Sequence, residues 1–181
     1  PTVEASSMKL LKHLRFALTL SLLAALTARG ATNVVTSAAD NGSAGTLRTT
    51  ISNATSGATI IFTNTLSGAT ITLTNGELLL NKNLNIDASA LPNGIAISGN
   101  NSNRVFEVAG GTTNLLTALT LTNAANPSGF GGAIYSYGYL TLNQCRLVNN
   151  SANLGGAAIF NQSGNLTMNQ CLLSGNSGLN G

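Results

Sequence analysis

The sequence contains no tryptophan, one histidine, two cysteines, three prolines and only 7 % charged residues, and each shortage narrows what the chain can be. The single histidine, His13, lies in an N-terminal segment with the features of an export signal, so the chain beyond it has no imidazole. That excludes a Ser-His or Cys-His catalytic group. Ordinary globular domains carry about 25 % charge. So low a value suits a disordered chain only if hydrophobicity is low as well. Here 43 % of residues are apolar, and the mean hydropathy is +0.23. Something is buried repeatedly.

The segment holding His13 opens at Met8, and residues 1–7 read as upstream read-through. Lys9, Lys12 and Arg15 form a basic start, Phe16 to Leu26 an apolar run, and Thr27-Ala28-Arg29-Gly30 a small-residue end. These are the three parts of a secretory signal peptide over residues 8–30, with Ala28 and Gly30 at the positions where the peptidase needs small side chains. A retained membrane span needs about twenty apolar residues, and this run has eleven. Cleavage removes Lys9, Lys12, Arg15 and Arg29. Arg48, Lys82, Arg104 and Arg146 then face Asp40, Glu77, Asp87 and Glu107, so the mature chain is neutral, whereas the whole sequence carries +3. No electrostatic footprint for nucleic acid remains. The expected destination is secretion, or the cell surface or outer membrane, with membrane association only through an anchor outside this sequence.

What the remainder does contain is short β-branched or leucine-rich runs bounded by Asn, Gly or Ser, such as Thr59 to Phe62, Thr70 to Leu73, Leu84 to Ile86 and Leu119 to Leu121. Most alternate apolar with polar residues, the period of a strand with one buried face. With no helical stretch of ten or more residues after Ser56, helices do not connect these strands, which leaves a sandwich, a barrel or a solenoid.

Internal repetition decides among these. Gly131-Gly132-Ala133-Ile134-Tyr135 followed by Tyr139 to Ser151 recurs as Gly155 to Phe160 followed by Asn165 to Ser177, 24 residues on for the first element and 26 for the later ones. Each unit holds three short strands, Ala-Ile, Leu-Thr-Leu/Met and Cys-x-Leu, which close one triangular coil. Stacked coils bury one another's apolar faces, which no isolated unit can do. The expected fold is therefore all-β, a right-handed parallel β-helix, with coils over residues 58–181. Cys145 and Cys171 hold the same place in successive units, so they stack about 4.8 Å apart with parallel side chains, a geometry for buried free thiols more than for a disulfide. Asn150 and Asn176, like Asn143 and Asn169, fall at matching corners, either as stacked amides or as solvated turn residues. Upstream, Leu47, Ile51 and Ala54 stand at i, i+4 and i+7 behind Thr46 as N-cap, a short amphipathic helix. It is expected to cap the solenoid's open end within a segment spanning residues 31–57.

The two Gly-Gly-Ala-Ile copies, the second interrupted by an extra Ala, and Leu-x-x-Asn at Leu147 to Asn150 and Leu173 to Asn176, resemble the GGAI and FxxN repeats of the polymorphic outer-membrane proteins and related bacterial surface β-helix proteins. Leu stands where that family usually has Phe. Gly45 to Ile51 is similar to the Leu-Arg-Glu-Ala helix opening many such domains, with Thr-Thr in place of Glu-Ala. The resemblance implies a pectate-lyase-like β-helix, usually the N-terminal part of a longer outer-membrane or autotransporter-type protein. It implies an exported structural or adhesive surface module and not an enzyme. The same architecture also hosts polysaccharide lyases and hydrolases, and a carbohydrate-active β-helix with its site in other coils is one alternative. A secreted glycan-binding solenoid is another.

Glycoside hydrolysis needs two carboxylates about 5 to 9.5 Å apart, and a calcium-assisted lyase needs several around the ion plus a base. Glu77 and Glu107 are 30 apart and Asp87 and Glu107 are 20 apart. Neither spacing matches the repeat, so these carboxylates are not expected to meet. No catalytic, cofactor or metal residue is assigned. Arg48 is expected to face solvent on the cap helix, Lys82 and Arg104 to sit in turns, and Arg146 to point outward, with no basic patch among them. Phe130, Tyr135, Tyr137 and Tyr139 surround the Gly131-Gly132 turn. Tyr135, Tyr137 and Tyr139 are the candidate contacts for a surface glycan or protein partner by ring stacking. For Tyr135, aligned with Phe160, packing in the core or at a corner is the expected role.

Overall fold

A strand whose side chains alternate buries one face, and a strand whose neighbours repeat it in register builds columns. The computed structural model, which describes residues 30–178, shows both. The elements run β1 (Thr32–Val35), α1 (Leu47–Asn53), β2 (Ala58–Phe62), β3 (Thr70–Thr72), β4 (Leu78–Leu80), β5 (Leu84–Asp87), β6 (Ile95–Ser98), β7 (Phe106–Val108), β8 (Thr113–Thr117) and β9 (Leu119–Thr122). They continue as β10 (Ala125–Asn126), β11 (Ile134–Ser136), β12 (Tyr139–Asn143), β13 (Arg146–Val148), β14 (Ser151–Ala152), β15 (Ile159–Asn161), β16 (Leu166–Asn169), β17 (Leu172–Ser174) and β18 (Ser177–Gly178). A short 3-10 turn, Asn64–Leu66, follows β2. The signal-like segment 8–30, except Gly30, and the read-through segment 1–7 lie outside the described residues.

Every strand pairing is parallel. The orders β1-β2-β5-β8-β12-β16, β3-β6-β9-β13-β17 and β4-β7-β11-β15 form three long sheets, and β10-β14-β18 makes a narrow fourth. The chain passes through the three long sheets in the same order from turn to turn, and the fold is a right-handed parallel β-helix, as the repeat implied. Inside, Ile60, Ile86, Leu116 and Leu142 form one column in register, and Ile71, Ile97, Leu121 and Leu147 another, all 0 % exposed. Fully burying such a side chain is worth about 1.5 to 3 kcal/mol.

The corners explain the polar residues of the repeat. Asn123 and Asn149 take the left-handed conformation (φ 48° and 57°), and Gly175 occupies the matching place at φ 65°. The next residue then points inward, and Asn150 is fully buried there. Its side-chain N–H donates to the Leu121 carbonyl (3.1 Å) and to Asn176 Oδ1 (2.9 Å), and its oxygen accepts from the Ala124 N–H (3.0 Å). Asn176 repeats the pattern by donating to Leu147 O at 2.8 Å. The stacked-amide reading therefore describes this corner. Asn169 likewise donates to Asn143 Oδ1 at 2.8 Å, on the exposed side. Cys145 is buried and Cys171 half-buried, both as free thiols one coil apart. Burial pushes the Cys145 thiol up to about 11, so it stays protonated and unreactive at neutral pH.

The cap differs from expectation in two ways. Strand β1 pairs with β2, so the long sheet starts inside the segment 31–57 and the helix covers a rung already laid down. Leu47, Ile51 and Ala54 of the helix are buried as their spacing required, and Thr46 accepts from the Thr49 N–H. Arg48, expected to face solvent, instead makes a two-pronged ion pair with Asp40 (Nε to Oδ1 2.7 Å, Nη2 to Oδ2 2.9 Å). It also donates to the carbonyls of Gly76 and Glu77. Asp40 in turn accepts from the N–H groups of Thr74 and Asn75. A helix surface pattern cannot register this, because Asp40 lies upstream of the helix and Gly76 and Glu77 lie more than twenty residues away in the corner before β4. Lys82 closes the other end by donating to the carbonyls of Ile51, Ser52 and Ala54 at the helix C-terminus.

Candidate functional site

The sheet β4-β7-β11-β15 carries the candidate residues on its outer face. In β11, Ile134 and Ser136 point inward and are fully buried, which turns Tyr135 outward. A core role for Tyr135 is therefore corrected, since the strand's period of two turns its ring to the outer face, where it lies half-buried against Phe160. The register aligns Leu79, Glu107, Tyr135 and Phe160 as one outward row across four coils. Tyr135 stacks on Phe160 with ring centroids 5.4 Å apart and meets Tyr137 edge-on at 4.7 Å. Phe130 lies against Phe160 at 4.3 Å. Tyr137 is 41 % exposed and Leu79 46 %. Tyr139 opens β12 in a different sheet and makes no ring contact with the others among the described residues. The structure thus joins Tyr135 to Tyr137 and leaves Tyr139 apart.

Beside the rings, Glu77 and Glu107 meet. Arg104 Nη1 donates to Glu77 Oε2 at 2.5 Å and to Glu107 Oε2 at 3.4 Å. The expectation that these carboxylates stay apart is wrong because the coils are unequal. Leu79 pairs with Glu107, and Leu84 with Asn114 thirty residues on, longer steps than the two clear repeats. Extra corner residues in the earlier coils restore the register that a fixed period misses. Glu107 is held above the usual carboxylate range, first by burial and then by the repulsion of Glu77 and a hydrogen bond to it, with Arg104 pulling the other way.

Arg104 is fixed from below by the glycine turn. Its Nε donates to Gly131 O (3.0 Å) and its Nη2 to Phe130 O (3.1 Å), while its Cζ sits 4.9 Å from the Tyr135 ring centroid. The Gly-Gly pair is needed here for two reasons. Gly131 has φ 69°, and a Cβ on Gly132 would stand 2.2 Å from the Ala157 carbonyl oxygen of the next coil. Sequence reasoning found Tyr135 and Tyr137 and aligned Phe160 with Tyr135, as the register has it, but missed Arg104, Glu77 and Glu107 as their neighbours. The alternation of Ile134-Tyr135-Ser136 was the one signal that could have turned the row outward.

Next to Glu77 and Arg104 lies an open hollow of about 420 Å³, bordered also by Asn103, Asn126 and Ser128. Of the four basic side chains in the described residues, Arg48, Lys82 and Arg104 are engaged internally, and Arg146 is exposed on β13. Among the described residues no three His, Cys, Asp or Glu side chains converge, and no helix is long and apolar enough to cross a membrane. No family model matches the chain, and neither a curated protein nor a solved structure does.

Proposed function

We propose that the chain is an exported, cell-surface β-helix module with a structural and adhesive role, and not an enzyme. The observation that supports this best is an outward row of aromatic and carboxylate side chains on a stiff, ladder-paired stack. Such a face is a contact surface held on a rigid element. The export-signal pattern at residues 8–30 and the resemblance of the repeats to polymorphic outer-membrane proteins point the same way. Among the described residues the last rung is left uncovered, with Leu173 47 % and Met168 36 % exposed, an apolar edge open to contact.

The meeting of Glu77 and Glu107 favours one second reading, a carbohydrate-active β-helix. Against it, both carboxylates are tied to a single guanidinium nitrogen.

Expression of the full chain in a Gram-negative host tests the module reading. Signal processing, labelling of the chain on intact cells and adherence conferred on those cells are the expected results. Retention in the cytosol, or turnover of a polysaccharide by the purified chain, would overturn it.

A further inference from the structure

The two thiols stand away from the aromatic row and make the same contacts one coil apart. Arg146 pairs with Leu172, and the Leu172 N–H donates to the Cys145 carbonyl at 2.9 Å, so Cys145 and Cys171 are neighbours on successive rungs. The Cys145 S–H lies within donating distance of the Leu116 carbonyl (3.3 Å) and the Asn143 carbonyl (3.5 Å). The Cys171 S–H meets the equivalent carbonyls of the next coil, Leu142 at 3.4 Å and Asn169 at 3.5 Å.

Matching contacts mean matching rotamers, so the two sulfurs are related by the same translation as the strands, about 4.8 Å. At that separation, with parallel side chains, they do not reach each other to form a disulfide. The gap does equal, within a few tenths of an ångström, two metal–sulfur bonds of about 2.3 Å laid end to end. We infer that Cys145 and Cys171 form a two-coordinate site for one soft d10 cation, copper(I) before others, with a sulfur on either side of the metal. This inference goes beyond the surface-module reading and does not depend on it.

The ligands select the ion. Thiolate and thioether sulfur favour copper(I) over hard cations, and Met168 brings a thioether to the edge of the site. It pairs with Leu142 in the ladder, and the Leu142 carbonyl is the group that Cys171 Sγ touches. Zinc in a closed site takes four ligands in a tetrahedron, and among the described residues no further His, Cys, Asp or Glu joins the pair. Calcium and magnesium take oxygen ligands. An incoming ion meets Cys171 first, half-buried beside Met168 at 36 % exposure, with Cys145 buried one coil deeper. The burial that keeps the Cys145 thiol protonated in the free chain restricts the site further, to ions that bind thiolate strongly enough to displace the proton. On binding, two S–H bonds break, two copper–sulfur bonds form and two protons pass to water. Copper stays cuprous, so no oxidant or reductant is consumed. The Leu116 and Leu142 carbonyls lose only weak S–H donors.

Anaerobic titration of the full chain with copper(I), delivered from a chromogenic copper(I) chelator, tests the site. One copper per chain is the expected transfer, seen in native mass spectrometry as a single adduct in which copper replaces two protons. X-ray absorption of that adduct should show sulfur neighbours only. Silver(I), which shares the two-coordinate preference, should displace copper one for one, and zinc(II) at the same concentration should give no adduct. In Cys145→Ser and Cys171→Ser a hydroxyl can donate to the same carbonyls, so the fold is kept. Each variant weakens copper(I) binding by at least about a hundredfold, equivalent to about 2.8 kcal/mol. Met168→Leu, which places in β16 the residue found at Leu142, weakens it by less than about tenfold. Circular dichroism and a melting curve for each variant separate lost binding from lost fold, and Cys171→Ser, at the half-buried rung, carries the test alone if Cys145→Ser unfolds.

Unchanged affinity in Cys171→Ser, oxygen or nitrogen neighbours in the absorption spectrum, one copper shared between two chains, or zinc held more tightly than copper would each overturn the site. So would a purified chain whose mass is lower by two hydrogens and which takes up no copper, because its sulfurs would then be joined to each other.

Discussion

The two ends of the β-helix solve the same problem in different ways. At the first rungs, α1 covers the apolar interior, and the Asp40–Arg48 pair ties the covering segment to the corner before β4. At the last rung nothing among the described residues covers the column. Leu147 is 0 % exposed and its partner one coil later, Leu173, is 47 % exposed; Leu142 and Met168 differ in the same way. The residue types are nearly the same at both levels. Burial in a solenoid is therefore supplied by the neighbouring coil, and an identical motif is core or surface according to what is stacked on it.

The largest expected effect tests the capped end. Arg48→Ala leaves the buried Asp40 carboxylate without its partner and should cost about 3 to 5 kcal/mol, read from chemical denaturation. The same clamp has a pH signature. Burial pushes Asp40 up, but the Arg48 hydrogen bond and the Thr74 and Asn75 N–H groups outweigh it, so the carboxyl lies below its ordinary value of 3.8. The stability it contributes is complete above that value and lost as pH falls through the depressed one. The melting-temperature difference between the native chain and Asp40→Asn should therefore shrink toward zero under strong acid and persist at neutral pH.

Next in size is the comparison of one position at two levels. Leu147→Ala should destabilise by about 2 to 5 kcal/mol, and Leu173→Ala by less than about 0.5 kcal/mol, as for an exposed site. Equal losses in thermal melts would mean that the last rung is covered in solution. The amide ladder gives a smaller contrast. Asn150→Ala strands the Ala124 N–H and the Leu121 carbonyl and should cost about 1 to 3 kcal/mol; Asn176→Ala, at the half-buried end, should cost less. Smallest is Ala118, which turns the corner between β8 and β9 at φ 55°. Ala118→Gly removes a strained left-handed alanine and should stabilise by about 1 kcal/mol, seen as a higher melting temperature.

Much of the architecture could be read before the coordinates, for a physical reason. A parallel β-helix has a nearly one-dimensional pattern, so the recurrence of Leu140-Thr141-Leu142 at Leu166-Thr167-Met168 is already the column that forms. The cap helix was legible in the same way, because Leu47, Ile51 and Ala54 report a local period. The candidate site was only half legible. Tyr135 and Tyr137 stand close in sequence, but Glu77, Glu107 and Arg104 reach them only through coils of unequal length. Corner insertions change sequence spacing without changing register, since a loop adds residues at the edge while the ladder hydrogen bonds fix which strands lie over one another.

By itself, the sequence determined which residues alternate, where the chain turns, and that units about twenty-five residues long must stack to bury their leucines and isoleucines. Only the tertiary structure decided that β1 lies beneath the cap, that Arg48 is a clamp, and that Tyr135 faces outward beside two carboxylates on one guanidinium. Local pattern sets the inward and outward faces of each strand. Which outward residues become neighbours depends on the accumulated register of every coil between them, a sum that no single stretch of sequence contains.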